Sequence, residues 1–276
     1  MYSEKIIKLY KIVITDIVDQ STKYYHEDSS IDLNFVTSKY IDFNKRKDID
    51  NIPGWTFSRT GSRYSENADG STVLFEANEP RTTDKGIAVD PGATNLLKYS
   101  EQIDNAAWIK SFSGTGVAPV VTPNAAIAPD GTITADLVAF DRGAGNTLSD
   151  WSFLVQSRIA TVVSAAHAGS LFAKAASPSD VGKEIGFRHV GAIAYTVITL
   201  TADWKRVFSI ETALSKTSSI EIASRGSLTA DNVVSAHIWG AQLETGSIAT
   251  PYIPTSGSSA SAGADVATIS DLPQYL

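Results

Sequence analysis

Trp151, Trp204 and Trp239 have the most binding chemistry to offer in this sequence, because an indole held open to solvent presents a flat apolar face on which a sugar ring stacks. All three fall on predicted strands, where tryptophans more often fill the core, and Trp204 opens its strand beside Asp203 as packing residues often do. His167, His189 and His237 are too dispersed for a sequence-local metal triad and read as surface or internally satisfied histidines. Asp141, Asn146 and Asp150 flank a glycine-rich loop whose spacing is not that of an EF-hand, so a plain polar loop is the simpler reading.

Catalytic patterns are missing. There is no G-x-S-x-G elbow, no Walker loop and no H-E-x-x-H, and Gly114-Thr115-Gly116 lacks the following helix that a dinucleotide fingerprint requires. A glycosidase needs only two carboxylates brought together by folding, and Asp136, Glu184, Glu211, Glu221 and Glu244 are the candidates within predicted strands. Acids on strands usually face solvent, so the reading is a protein that does not catalyse. With no cysteine there is neither a disulfide framework nor a thiolate zinc site.

The elements that must position these residues are strands. Val233 to Leu243 holds no charge and no proline, which predicts a central strand covered on both faces. Other strands are expected near 116–122, 132–140, 151–156, 170–176, 184–190, 194–200, 204–212 and 218–223, with turn residues such as Pro129-Asp130-Gly131 and Ala202-Asp203 between them. Nine such runs suffice for a two-sheet sandwich. Upstream, Ser62 to Ser65 and Thr72 to Glu76 flank Asn67-Ala68-Asp69-Gly70 and predict a hairpin, Gly70 supplying the positive φ of the turn. Ile6, Leu9, Tyr10, Val13, Ile17 and Val18 fall on one helical stripe, although the run Ile12 to Ile14 also suits a strand.

Charge divides the chain. Residues 1–50 carry eight Lys or Arg and nine Asp or Glu, whereas the 63 residues from Leu214 to the end carry seven charges of either sign. The net charge of −7 argues against general affinity for nucleic acid or anionic membrane, and no apolar run approaches the length needed to span a bilayer. The N-terminus lacks the basic, apolar and small-residue zones of a signal peptide.

Three segments carry a resemblance: the strand Ser170 to Ala176 (SLFAKAA), the D-W-K-R of Asp203 to Arg206, and the run W-G-A-Q-L-E-T-G-S-I-A-T-P-Y-I-P-T from Trp239 to Thr255. With Phe57 to Arg81 and Gly86 to Lys110 before them, they resemble the carbohydrate-binding-like jelly-roll modules of bacteriophage tail, fibre and collar proteins, over about Ile31 to Ile269. The pattern departs at Gly92-Ala93, where relatives carry an Arg, so no ion pair is expected there. The resemblance implies a mainly β chain, with an extended, hairpin-containing region over 31–100 and a jelly roll over 101–255. Residues 1–30, outside the resemblance, read either as an element packed on its own domain or as an attachment segment, and the small, polar residues from Ser256 make 256–276 a flexible or draped tail. The resemblance also implies a structural virion protein assembled in the host cytoplasm, a homo-oligomer that meets other virion proteins through residues 1–50. A glycan-binding adhesin is the other reading, with Trp239 as platform and Gln242 and His237 as polar partners for a host surface glycan. No cofactor is expected, although loops like that of Asp141, Asn146 and Asp150 hold a structural calcium in some related modules.

Overall fold

The computed structural model describes residues 31–34, 39–42, 45–48, 55–189, 194–226 and 228–269. The N-terminal stripe and the expected attachment segment over 1–30 lie outside them. The chain divides into two compact units, 1–92 with 262–276, and 93–261.

In the first unit β1 (Ile31–Asn34), β2 (Lys39–Asp42) and β3 (Lys45–Asp48) form an antiparallel meander. β3 lies within the basic-acidic run NKRKDID at 44–50, whose charge alone suggests a solvated loop. The expected hairpin is present as β5 (Arg63–Glu66) and β6 (Thr72–Phe75), with Gly70 at φ +83° in the turn. β7 (Arg81–Thr83) pairs with β8 (Gly86–Ala88). β4 (Trp55–Ser58) pairs with β21 (Val266–Ile269), so part of the expected tail is a strand, held by a full backbone ladder.

This unit is organised around buried charge. Arg59 Nη1 lies 3.1 Å from Asp265 Oδ1, with both side chains fully enclosed. Arg81 contacts the other oxygen of Asp265 and reaches Asp90 at 2.7 Å. The Asp90 backbone N–H also donates to Asp265, at 2.8 Å. A guanidinium and a carboxylate this deep persist only when each satisfies the other, so the network ties residues 59–90 to the segment carrying Asp265.

The second unit is a jelly-roll β-sandwich. One sheet has the order β10 (Ile109–Ser113), β13 (Trp151–Ala160), β18 (Thr217–Arg225), β15 (Glu184–His189), β16 (Thr196–Thr199). The other has β11 (Val117–Ala126), β12 (Ala135–Asp141), β19 (Val233–Thr245), β14 (Ala166–Ala175), β17 (Lys205–Thr212). A short pair, β9 (Ala93–Asn95) with β20 (Ala260–Ala262), completes the strands. All nine expected sandwich strands are present; β10 was not expected, because Ile109 to Ser113 mixes a lysine and two serines with its two apolar residues.

The core between the sheets follows from alternation. Val234, Ala236 and Ile238 of β19 face Leu154, Phe187, Ile220 and Ile222 within one buried cluster. Gly240 then breaks the parity: its φ of +62° belongs to the left-handed region, and the ladder steps from Phe172 opposite Trp239 to Ser170 opposite Gln242, one extra residue on β19. This is a bulge of the glycine type. Beyond it Ala241 and Leu243 face the core, while Trp239, Gln242 and Glu244 face outward.

Candidate functional site

Each sheet of the sandwich has an outer face, and the two differ. On the β11-β12-β19-β14-β17 sheet the outward residues beyond the bulge are covered by the chain's own continuation, residues 246–255. Tyr252 packs edge-on against Trp239, ring centroids 4.9 Å apart, and Phe172 joins them at 5.4 Å from Trp239. Glu244 accepts from the Thr250 backbone N–H at 2.7 Å and from its hydroxyl at 2.7 Å. Gln242 accepts from Ile253 N–H at 2.8 Å and donates to Glu244 at 2.9 Å. Arg206 reaches over to the Thr250 carbonyl at 2.7 Å. The Tyr252 hydroxyl donates to Glu101 at 3.0 Å, and burial raises the Glu101 carboxyl above its ordinary range.

Trp239 and Gln242 therefore have 0% exposure. An indole with no accessible face cannot receive a sugar, and the amide of Gln242 is committed to the covering segment. The expected platform at Trp239 with Gln242 as partner is corrected accordingly: both are packing residues of a closed face. His237 lies before the bulge and is half-buried, its imidazole held below the ordinary range by burial and then by Lys174. Lys174 Nζ sits 4.9 Å over the ring of Trp204, whose Nε1 donates to the Ile127 carbonyl at 3.1 Å. The structure thus brings His237 beside Lys174 on the uncovered half of this sheet, apart from the Trp239 cluster.

On the other sheet Leu154 faces the core, so Trp151, Phe153 and Val155 of β13 face outward, as do Glu221, Ala223 and Arg225 of β18 and Arg188 of β15. Here an aromatic-guanidinium ladder runs across the strands. Phe153 touches Trp151, centroids 4.4 Å apart. The Arg225 guanidinium lies 4.3 Å from the Trp151 ring and 5.6 Å from the Tyr195 ring, and the Arg188 guanidinium lies 4.6 Å from the Tyr195 ring. Such contacts orient a cation without neutralising it. Tyr195 and Leu228 sit where a Cβ on Gly186 would be, so the glycine makes room for them on the sheet surface. The Tyr195 hydroxyl donates to Glu221, and Arg188 bonds the same carboxylate at 2.9 Å. Burial, then the Glu221 charge, pushes the phenol well above its ordinary value. Trp151, Phe153, Tyr195, Arg188 and Arg225 are all half-buried, with part of each side chain accessible. Sequence reasoning singled out Trp151 alone; the others come from three strands and a loop that no local pattern joins.

Three of the five acids considered for catalysis, Asp136, Glu221 and Glu244, are engaged in the fold. Asp136 accepts from the backbone N–H groups of Asn124 at 2.9 Å and Asp104 at 3.1 Å, and burial raises its carboxyl. Glu244 and Glu221 are held as described. Asp150, in the loop considered for calcium, accepts from the backbone and hydroxyl of both Thr115 and Thr147, and these bonds, Thr147's hydroxyl foremost, hold its carboxyl far below the ordinary range. The loop is a hydrogen-bonded staple whose carboxylate already has four donors. Among the described residues no group of three or more His, Asp or Glu converges as metal ligands.

No protein-family model and no curated protein matches this chain. Solved structures similar to it include the CBM22-1 xylan-binding domain from Paenibacillus barcinonensis Xyn10C, at 15% identity and TM-score 0.39 over 59% of this chain and 100% of that one. The family 11 carbohydrate-binding module of the cellulosomal cellulase Lic26A-Cel5E of Clostridium thermocellum aligns at 14% identity and TM-score 0.35, covering 56% of this chain and 95% of that one. The enzymatically active domain of bacteriophage CBA120 tailspike protein 4 aligns at 13% identity and TM-score 0.38 over 55% of this chain. The match spans 21% of the length of that tailspike chain.

Proposed function

We propose that this chain is a component of a bacteriophage appendage whose sandwich binds a surface glycan on the outer face of the β10-β13-β18-β15-β16 sheet. The observation that carries the glycan reading is the half-exposed ladder Trp151, Arg225, Tyr195 and Arg188. It joins apolar ring surface to oriented donors, the combination a sugar needs for stacking and for its hydroxyls. The particle reading is supported by the three sequence segments that resemble phage appendage modules. Residues 1–50 attach the chain to other virion proteins in this proposal, and copies associate by symmetry.

The module binds without cleaving. Supporting this, Asp136, Glu221 and Glu244 are spent on internal hydrogen bonds rather than poised across an open cleft. The test is to incubate the purified chain with a panel of bacterial surface polysaccharides, measuring binding and the release of reducing ends. Binding lost in Trp151→Ala, with no reducing ends released, is the expected result. Reducing ends abolished by changing one pair of carboxylates would make the protein a depolymerase instead. A purely structural module is the second reading, favoured by the self-covered face around Trp239; it predicts that no polysaccharide in the panel binds.

A further inference from the structure

We infer that the glycan taken on this face is acidic, with a carboxylate of the sugar received by the guanidinium of Arg225. The inference rests on the glycan reading above and narrows its substrate class. Arg225 Nε donates to the Leu148 carbonyl at 2.6 Å, while among the described residues no group accepts from its two terminal nitrogens. Its guanidinium carbon lies over the Trp151 ring at 4.3 Å and over the Tyr195 ring at 5.6 Å, so the group is held by two aromatic contacts. The acids nearby do not answer it. Glu221 is committed to Arg188 and to the Tyr195 hydroxyl. Glu184 is on the outer face of β15, because Ile185 and Phe187 face the core, and it forms no ion pair with Arg225.

What remains is one half-buried fork of N–H donors with no acceptor among the described residues, beside an aromatic surface. Guanidinium forks match planar carboxylates in two parallel charge-assisted bonds, a geometry that separate hydroxyls satisfy less well. Stacking holds the fork in place before the ligand arrives, so little side-chain freedom is lost on binding. Glu184 tempers the site, since its charge opposes an arriving anion without removing the fork.

The experiment compares binding of the full chain to acidic bacterial capsular polysaccharides before and after chemical reduction of their carboxyl groups to alcohols. Carboxyl reduction is expected to weaken binding about tenfold or more, and Arg225→Lys, which keeps the charge but loses the fork, to weaken binding of the unreduced glycan by a similar factor. Glu184→Gln should tighten it severalfold, and raised salt should weaken it. Melting curves of each variant separate loss of binding from loss of fold, and Glu184→Gln reports on the site even if Arg225→Lys does not fold. Binding that survives carboxyl reduction, or acid-dependent binding untouched by Arg225→Lys in a folded variant, overturns this inference and leaves the glycan reading standing. Failure of every polysaccharide to bind overturns both.

Discussion

The two outer faces of the sandwich carry similar residues and end in opposite states. One has Trp239, Phe172 and Arg206; the other has Trp151, Phe153 and Arg225. On the first, residues 246–255 return over the sheet and consume the rings, Gln242, Glu244 and Arg206 in internal contacts. On the second, rings and guanidinium groups stack on one another and stay half-exposed. Similar side chains are therefore buried on one face and partly accessible on the other. What differs is whether a later segment arrives to cover them.

The largest effect that would break this comparison is at Trp239. Trp239→Ala should destabilise the sandwich by ~3–5 kcal/mol, as removal of a buried indole does, and denaturant unfolding checks it. A variant of near wild-type stability would mean that the face is not closed.

Acid should weaken the core beneath both faces. His189 lies between the sheets, where a Cβ on Gly169 would strike its ring, and its Nε2 meets the Ser209 hydroxyl at 2.9 Å. Burial pushes its imidazole down to about 4. The folded value lies below the unfolded one of 6.5, so the neutral ring contributes fully above pH 6.5. That contribution is lost as pH falls toward 4, on the order of 3 kcal/mol. Melting temperature followed from pH 7 to 4 should fall steeply for the native chain and less for His189→Gln.

On the open face Trp151→Ala should weaken glycan binding by roughly 1–3 kcal/mol with a smaller change in melting temperature, the scale of one aromatic contact. Equal losses of binding and fold would make the ladder a packing device like its counterpart. The smallest effect is expected at Phe208, which faces outward on β17 and is 58% exposed. Phe208→Ser should change unfolding free energy by no more than about 0.5 kcal/mol, marking where the covering segment's influence ends.

Much of the sandwich was readable because strand periodicity and turn chemistry act locally. The run Val233 to Leu243 holds no charge and no proline at either parity, which implied cover on both faces; the cover is complete from Ile238 to Glu244 and partial from Val233 to His237. This same reading weighed against a platform at Trp239. A residue needed open for binding conflicted with a strand needed closed, and the fold resolved it in favour of packing. Arg225, Tyr195 and Arg188 left no comparable trace, since the face they build exists only once β13, β18 and β15 lie side by side.

The sequence by itself determined nine of the ten sandwich strands, the hairpin at Gly70 and a central strand free of charge, because backbone sterics and alternation are settled within a few residues. Tertiary structure alone decided which tryptophan is buried and which is accessible, and which carboxylates pair with Arg59, Arg81 and Arg188. Exposure and ion pairing depend on groups that approach from distant parts of the chain: Tyr252 on Trp239, Asp265 on Arg59, Glu221 on Arg188. Alternation tells a residue which way to point, and only the folded chain decides what it meets there.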